Sequence, residues 1–177
     1  MNTSQFAPLQ RRRDELVEVF GAVLSANVFA NRFIFHPQDL PAVAEEAAEC
    51  FLAFVDAEDS QTVRALGDSL ERRGLGDVSE VALLLKLQQF CAALPLEDEP
   101  GLRQELQGAV ERFANALVSG FAEAREEEII SEQEQLRHAL SAAIESQSRE
   151  LLEKNHAIAT SISAIVLADL AGRITYA

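Results

Sequence analysis

The chain has 177 residues, 48% of them hydrophobic and 25% charged, which suits one main domain with a sizeable core plus an appendage. Its 15 Lys and Arg stand against 29 Asp and Glu, a formal charge of -14 that repels phosphate backbones and excludes nucleic acid as a partner. No apolar run reaches the roughly 18 residues of a membrane span, and the N-terminus MNTSQFAPLQRRR lacks an apolar signal core, so a cytoplasmic chain with no membrane association is expected.

In chain order, Leu16, Phe20, Val23, Leu24 and Val28 recur at helical spacing and predict a first helix from about Leu9 to Val28. The basic run Arg11-Arg12-Arg13 reads as a solvated face of that helix. Pro37 and Pro41 break the pattern in NRFIFHPQDLP, and Asp39 is placed to cap a second helix. Its stripe is Leu40, Val43, Ala47, Phe51, Phe54 and Val55. Ser60 is placed to cap a third helix with Val63, Leu66 and Leu70 inside, which Gly74 should end.

Asp77 followed by Glu80 has the form of a capping box in front of VALLLKLQQFCAAL. That segment is apolar nearly all round, with Val81, Leu84, Leu85, Leu87, Phe90 and Leu94, and is expected to be the buried central helix. After the acidic turn LEDEPG, Leu102, Leu106, Val110, Phe113, Leu117 and Phe121 define a fifth helix. Nothing stops it: beyond Gly120 there is neither Pro nor Gly up to Ile158. Continuous from Leu102 to Ile158, it would be roughly 85 Å long at about 1.5 Å per residue.

Its second half, AREEEIISEQEQLRHALSAAIESQSRELLEKNHAI, is about as polar as a two-stranded coiled coil. A seam of Gln133, Leu136, Leu140, Ile144, Gln147, Leu151, Lys154 and Ile158, with Ile129 and Ile130 upstream, alternates steps of three and four with a stutter around Leu140. A solvated single helix has no reason to keep such a stripe. A parallel homodimer is therefore expected, with Ile129, Leu136, Leu140, Ile144, Leu151 and Ile158 as its signalling seam. The ending IVLADLAGRITYA has the β-branched and aromatic composition of a hairpin with its turn at LAG.

No residue constellation supports catalysis, and the chain is expected not to be an enzyme. There is no Gly-rich phosphate loop, nucleophile elbow or His/Cys/Asp metal spacing, and Glu126-Glu127-Glu128 runs around its helix. Cys50 and Cys91 both fall in helical patterns and read as reduced core residues. His36 precedes Pro37 in a break, while His138 and His156 lie on the long helix, so no inward haem ligand is offered and no cofactor is expected. His138 also lacks the acidic neighbour and nearby proline of a phosphoacceptor motif. Phe33, Phe35, Phe51, Phe54, Phe90, Phe113 and Phe121 come from four segments. Core packing explains them; the sharper alternative is a pocket for a fatty-acid-like ligand lined by Phe33, Phe51, Phe54, Leu84, Phe90 and Phe113.

Two resemblances bear on this pattern. The last twenty residues, a short helix AIATSIS, a strand IVLAD, the turn LAG and a strand RITYA, resemble the start of a PAS domain, which implies that the chain is the front of a longer protein. Residues 8 to 130, with the break NRFIFHPQDLP, the helix VALLLKL and the exit FANALVSGFAEAREEEIISEQEQL, resemble the N-terminal sensor module of the stressosome co-antagonist (RsbR-like) family. That resemblance implies a globin-like fold without haem, dimerisation, and a linker helix feeding a STAS domain that antagonises an anti-sigma factor. Together they give an all-α, globin-like sensor domain over residues 1 to 125, a coiled-coil signalling helix over 126 to 158 and the beginning of a PAS domain over 159 to 177. Signalling partners would be reached through a C-terminal output domain missing from the chain. Competing readings are the sensor of a PAS-containing histidine kinase and a haem-binding globin sensor.

Overall fold

The computed structural model describes residues 6–27, 36–96 and 100–169, and among these every regular element is helical. The helices are α1 (Ala7–Gln10), α2 (Arg13–Ala26), α3 (Leu40–Ala57), α4 (Ser60–Arg72), α5 (Asp77–Ala92) and α6 (Pro100–Asp169), with a 3-10 turn at Pro37–Asp39. The chain divides into a first unit, Met1–Glu128, and a second, Ile129–Ala177. The all-α expectation holds; the strand expected at IVLAD does not, because residues 165–169 continue α6. A helix already nucleated adds a hydrogen bond for each residue fixed, whereas two strands without a sheet to join bury too little to compete. The remainder of that hairpin, and Phe33 and Phe35, lie outside the described residues.

The first expected helix is two. The backbone breaks at Arg11 and Arg12, and Arg12 takes φ -104° and ψ 22°. The break turns the arginines to different tasks: Arg12 lies over the Phe90 ring, 5.2 Å from its centroid, and bonds Glu15. Arg13 spans to Glu45 at 2.7 Å and Glu49 at 2.6 Å, tying α2 to α3. The basic run is thus divided between ion pairs and a cation–π contact.

Centrality belongs to α3 and not to α5. α3 buries Leu40, Val43, Ala44, Ala47, Ala48, Phe51, Leu52, Phe54 and Val55. Its alanines let neighbours come close: a Cβ on Gly21 of α2 would stand 3.9 Å from that of Ala44. α5 turns Leu83, Leu87, Phe90 and Cys91 inward but leaves Val78, Val81 and Leu85 each more than half exposed. An all-round apolar sequence identifies no face, and the elements available to cover it decide which side is buried.

Several helix ends depart from expectation. α4 is capped by Asp59, one residue before Ser60; its carboxylate accepts from the Gln61 amide at 3.0 Å and the Thr62 hydroxyl at 2.6 Å. Asp39 occupies the cap position of α3 without making a side-chain cap bond. Gly74 ends α4 as expected, with φ 93°, while its N–H reaches Glu71 at 2.8 Å and that of Leu75 reaches Leu70 at 2.9 Å. Glu58 closes α3 with φ 54°, and its carboxylate pairs with Arg112 of α6.

α4 and α6 approach one another too closely for side chains at two positions. A Cβ on Gly67 would fall 2.2 Å from the Leu117 carbonyl oxygen, and one on Gly120 would fall 2.0 Å from that of Arg64. Both positions require hydrogen in place of a side chain. Ion pairs flank the crossing, with Arg72 2.6 Å from Glu127 and Arg64 3.9 Å from Glu123.

Gly67→Ala or Gly120→Ala should therefore cost roughly 2–3 kcal/mol in urea unfolding, since the obstructing atoms are backbone. Gly101, with nothing within 4 Å of the equivalent position, serves as the control. Gly101→Ala should be neutral or stabilising by up to about 1 kcal/mol.

Candidate functional site

Three places in the molecule are candidates for chemistry or recognition, and the first is the exposed stripe of α6 in the second unit. From Leu106 to Ala124 most apolar positions of α6, Leu106, Val110, Phe113, Leu117 and Phe121 among them, are buried in the first unit, while Val118 is exposed. From Ile129 onward they are open: Ile129 is 46% exposed and Leu136 71%, with Leu140, Ile144, Leu151 and Ile158 between these values. The helix itself continues without interruption across the change. The residues expected to form a seam are thus on one uninterrupted helix and accessible. Ile130 and Leu152 are also exposed, which widens the apolar face at two levels. Charges such as Glu132, Glu134, Arg137, Glu145, Arg149 and Glu153 accompany the stripe, with an intrahelical pair between Lys154 and Glu150 at 2.5 Å.

The second place is the phenylalanine core. Phe51 and Phe54 of α3 meet Phe113 of α6 edge to face, with ring centroids 5.0 Å and 5.7 Å apart. Phe51 and Phe113 have no exposed surface. Phe90 sits under Arg12, and Leu84 is only partly buried. Phe33, the remaining member of the expected pocket, is outside the described residues. Three of the six therefore pack on one another, and edge-to-face geometry supplies what a filled core requires.

Clefts in the first unit draw on other side chains. One of about 160 Å³ lies between α5 and α6, lined by Gln88, Cys91, Arg103, Leu106 and Val110. Arg103 reaches over it toward the Ala92 and Leu94 carbonyls at 3.4 Å and 3.5 Å, serving the open carbonyls at the end of α5. Another, lined by Val19, Val23, Ala82 and Leu85, runs between α2 and α5. Cys91 stays a thiol, its pKa pushed up to about 12 by burial; Cys50, half-buried near Glu46, is pushed up to about 11. Neither offers the thiolate that nucleophilic or metal chemistry needs.

His36, His138 and His156 are all exposed. Among the described residues no group of three or more His, Cys, Asp or Glu could hold a metal ion, and no helix is long and apolar enough to cross a membrane.

The third place was legible in sequence only as a capping box, and it is something else. Gly76 occupies the cap position, so Asp77 is the first helical residue of α5 and Glu80 falls one position too far along to reach back. Glu80 turns inward and is 7% exposed, with Oε1 lacking a hydrogen-bond partner. Asp77, whose charge acts on Glu80, belongs to a charged cluster: Arg125 of α6 stands 3.6 Å from buried Glu71 of α4 and 3.8 Å from Asp77 of α5. Burial, reinforced by the charge of Asp77, raises the Glu80 carboxyl from its ordinary 4.5 to about 7.

No family model matches the chain, and no curated protein or solved structure matches it.

The buried carboxyl makes stability depend on pH with a definite sign. The folded chain holds the Glu80 proton more tightly than the unfolded chain, so stability falls as pH rises from about 4.5 through about 7, and the penalty is complete above that. Glu80→Gln should equal the parent near pH 4 and exceed it by roughly 2–3 kcal/mol at pH 8. Urea unfolding at both pH values measures this; parallel losses in parent and variant would contradict it.

Proposed function

We propose that the chain is a non-catalytic sensory module of a signalling protein, which pairs with a second copy through residues 129–158 of α6 and passes a change of pairing along that helix. The observation that carries this reading is the stripe of Leu136, Leu140, Ile144, Leu151 and Ile158, left exposed on one continuous helix. A single solvated helix gains nothing from such a stripe. Two copies that bury it gain roughly 2 kcal/mol for each large aliphatic side chain removed from water. Gln133, Gln147 and Lys154 interrupt the seam. Those interruptions weaken any one register, which suits a pairing meant to shift.

The transmission is mechanical. α4 holds α6 at the Gly67 and Gly120 crossing and through Arg72 and Glu127, immediately before the stripe begins. A ligand or partner that favours one packing of the first unit thereby favours one setting of α6, and differential affinity for the two settings shifts their populations. This is the behaviour of the RsbR-like sensor modules that the sequence resembles. In that setting the first unit is a globin-like domain acting without haem, α6 is the linker, and PAS and STAS-type output modules of a cytoplasmic stress-signalling protein receive the change. A fatty-acid-like molecule remains the ligand class that the phenylalanine-rich interior would suit.

Sedimentation equilibrium tests the pairing. The parent chain should be a dimer, and Leu140→Asp or Ile144→Asp should weaken self-association by roughly 100-fold or more, because each places two charges in an apolar seam. Variants that stay dimeric would move the interface to the first unit; a monomeric parent would remove the proposal.

A further inference from the structure

We propose that Glu80 is a proton-operated latch: its neutral carboxyl lets the first turn of α5 stay packed on the first unit, and its ionised form releases that turn to water. The geometry supplies each part. Glu80 points inward from the fourth residue of α5, almost without exposure, and Oε1 has no donor within reach. A protonated carboxyl tolerates this position because it carries no charge to solvate; a carboxylate leaves a buried charge with an empty hydrogen-bonding site, which is costly. The nearest relief is at the helix start, where the first backbone N–H groups of α5 and solvent are one turn away.

The surrounding charges do not relieve the carboxylate in place. On α5 itself Asp77 opposes a second negative charge. α4 contributes buried Glu71, also acidic, while Arg73 at its end is taken by Glu46 of α3 at 2.6 Å. Asp68 of α4 is paired with Arg72 at 2.9 Å, and Arg72 in turn with Glu127. α6 presents one cation, Arg125, already shared between Glu71 and Asp77 at distances beyond a hydrogen bond. From α2 the groove beside Ala82 is lined by Val23, Ala26 and Asn27, none of which titrates. Ionising Glu80 therefore sets a second negative charge beside Asp77, whose cation Arg125 is already shared with Glu71. Repulsion and desolvation act together to expel the α5 turn.

The position gives the latch its reach. Arg125 is the link between this cluster and α6, and it lies on the stretch of α6 gripped by α4. A change in how α5 seats is thus a change in what holds α6 just before the second unit. The latch is a property of the first unit and stands whether or not α6 pairs.

Amide hydrogen exchange followed by mass spectrometry on the full chain tests it, with rates corrected for the intrinsic effect of pH. In the parent, protection of residues 77–83 should fall by about 10-fold or more between pH 6 and pH 8, with a smaller fall over 117–127. In Glu80→Gln, which keeps the shape and removes the charge, protection should be high and equal at both pH values. In Glu71→Gln the pH dependence should persist. A parent with equal protection at both pH values would overturn the proposal. So would a Glu80→Gln chain that still loosens at pH 8, or a Glu71→Gln chain that no longer does, since the titrating group would then be another.

Discussion

An apolar stripe left exposed on an unbroken helix is the constraint on which the molecule turns. Over Leu106 to Ala124, α6 supplies one wall of a core, with Phe113 and Leu117 sealed against α3 and α4. Beyond Glu128 the same helix keeps large aliphatic residues at helical spacing, and Leu136, Leu140, Ile144, Leu151 and Ile158 are exposed. Backbone hydrogen bonding continues because no residue interrupts it, and helix propagation is favourable once begun. Hydrophobic burial does not continue, and that mismatch between an unbroken ladder and an exposed stripe is what the proposed pairing with a second copy would resolve.

The first unit is organised around holding that helix. Its arginines are distributed as single links between elements: Arg13 from α2 to α3, Arg73 from α4 to α3, Arg72 and Arg64 from α4 to α6, Arg112 from α6 to Glu58 at the end of α3. Each is exposed, screened by salt and individually weak. Their value lies in orientation. Where contact must be close it is made by the absence of side chains, at Gly67 and Gly120, and there no adjustment of rotamers can substitute for a missing Cβ.

Much of this arrangement was legible in the sequence, and the failures have identifiable physical sources. The helices were readable because their apolar positions recur with a strong period, and the length of α6 because neither Pro nor Gly interrupts it. The break at Arg11 and Arg12 was hidden because no helix-breaking residue marks it; it follows from tertiary contacts to Phe90, Glu45 and Glu49. α5 was misjudged because hydrophobicity on every side gives no direction, whereas α3, with its alanines, is the helix narrow enough to be surrounded. The end of α6 was read as a strand from its β-branched residues. Propensity of that kind is a preference for a pleated, half-buried surface and has force only when a sheet is present. The Glu80 cluster was visible as a motif but with the wrong meaning, since a one-residue shift in where α5 begins separates a cap from a buried acid.

The most direct measurement of the central claim is the distance between equivalent α6 residues in two copies. Spin labels on Cys introduced at Ser141, and separately at Asn155, in a chain with Cys50→Ser and Cys91→Ala, report that distance by dipolar coupling. A parallel pair with axes about 8–10 Å apart predicts a single short distance, under about 30 Å with the label arms, at both positions. Absence of coupling at either site, or a short distance at one and a long one at the other, would contradict a pair that runs in parallel along the exposed stripe.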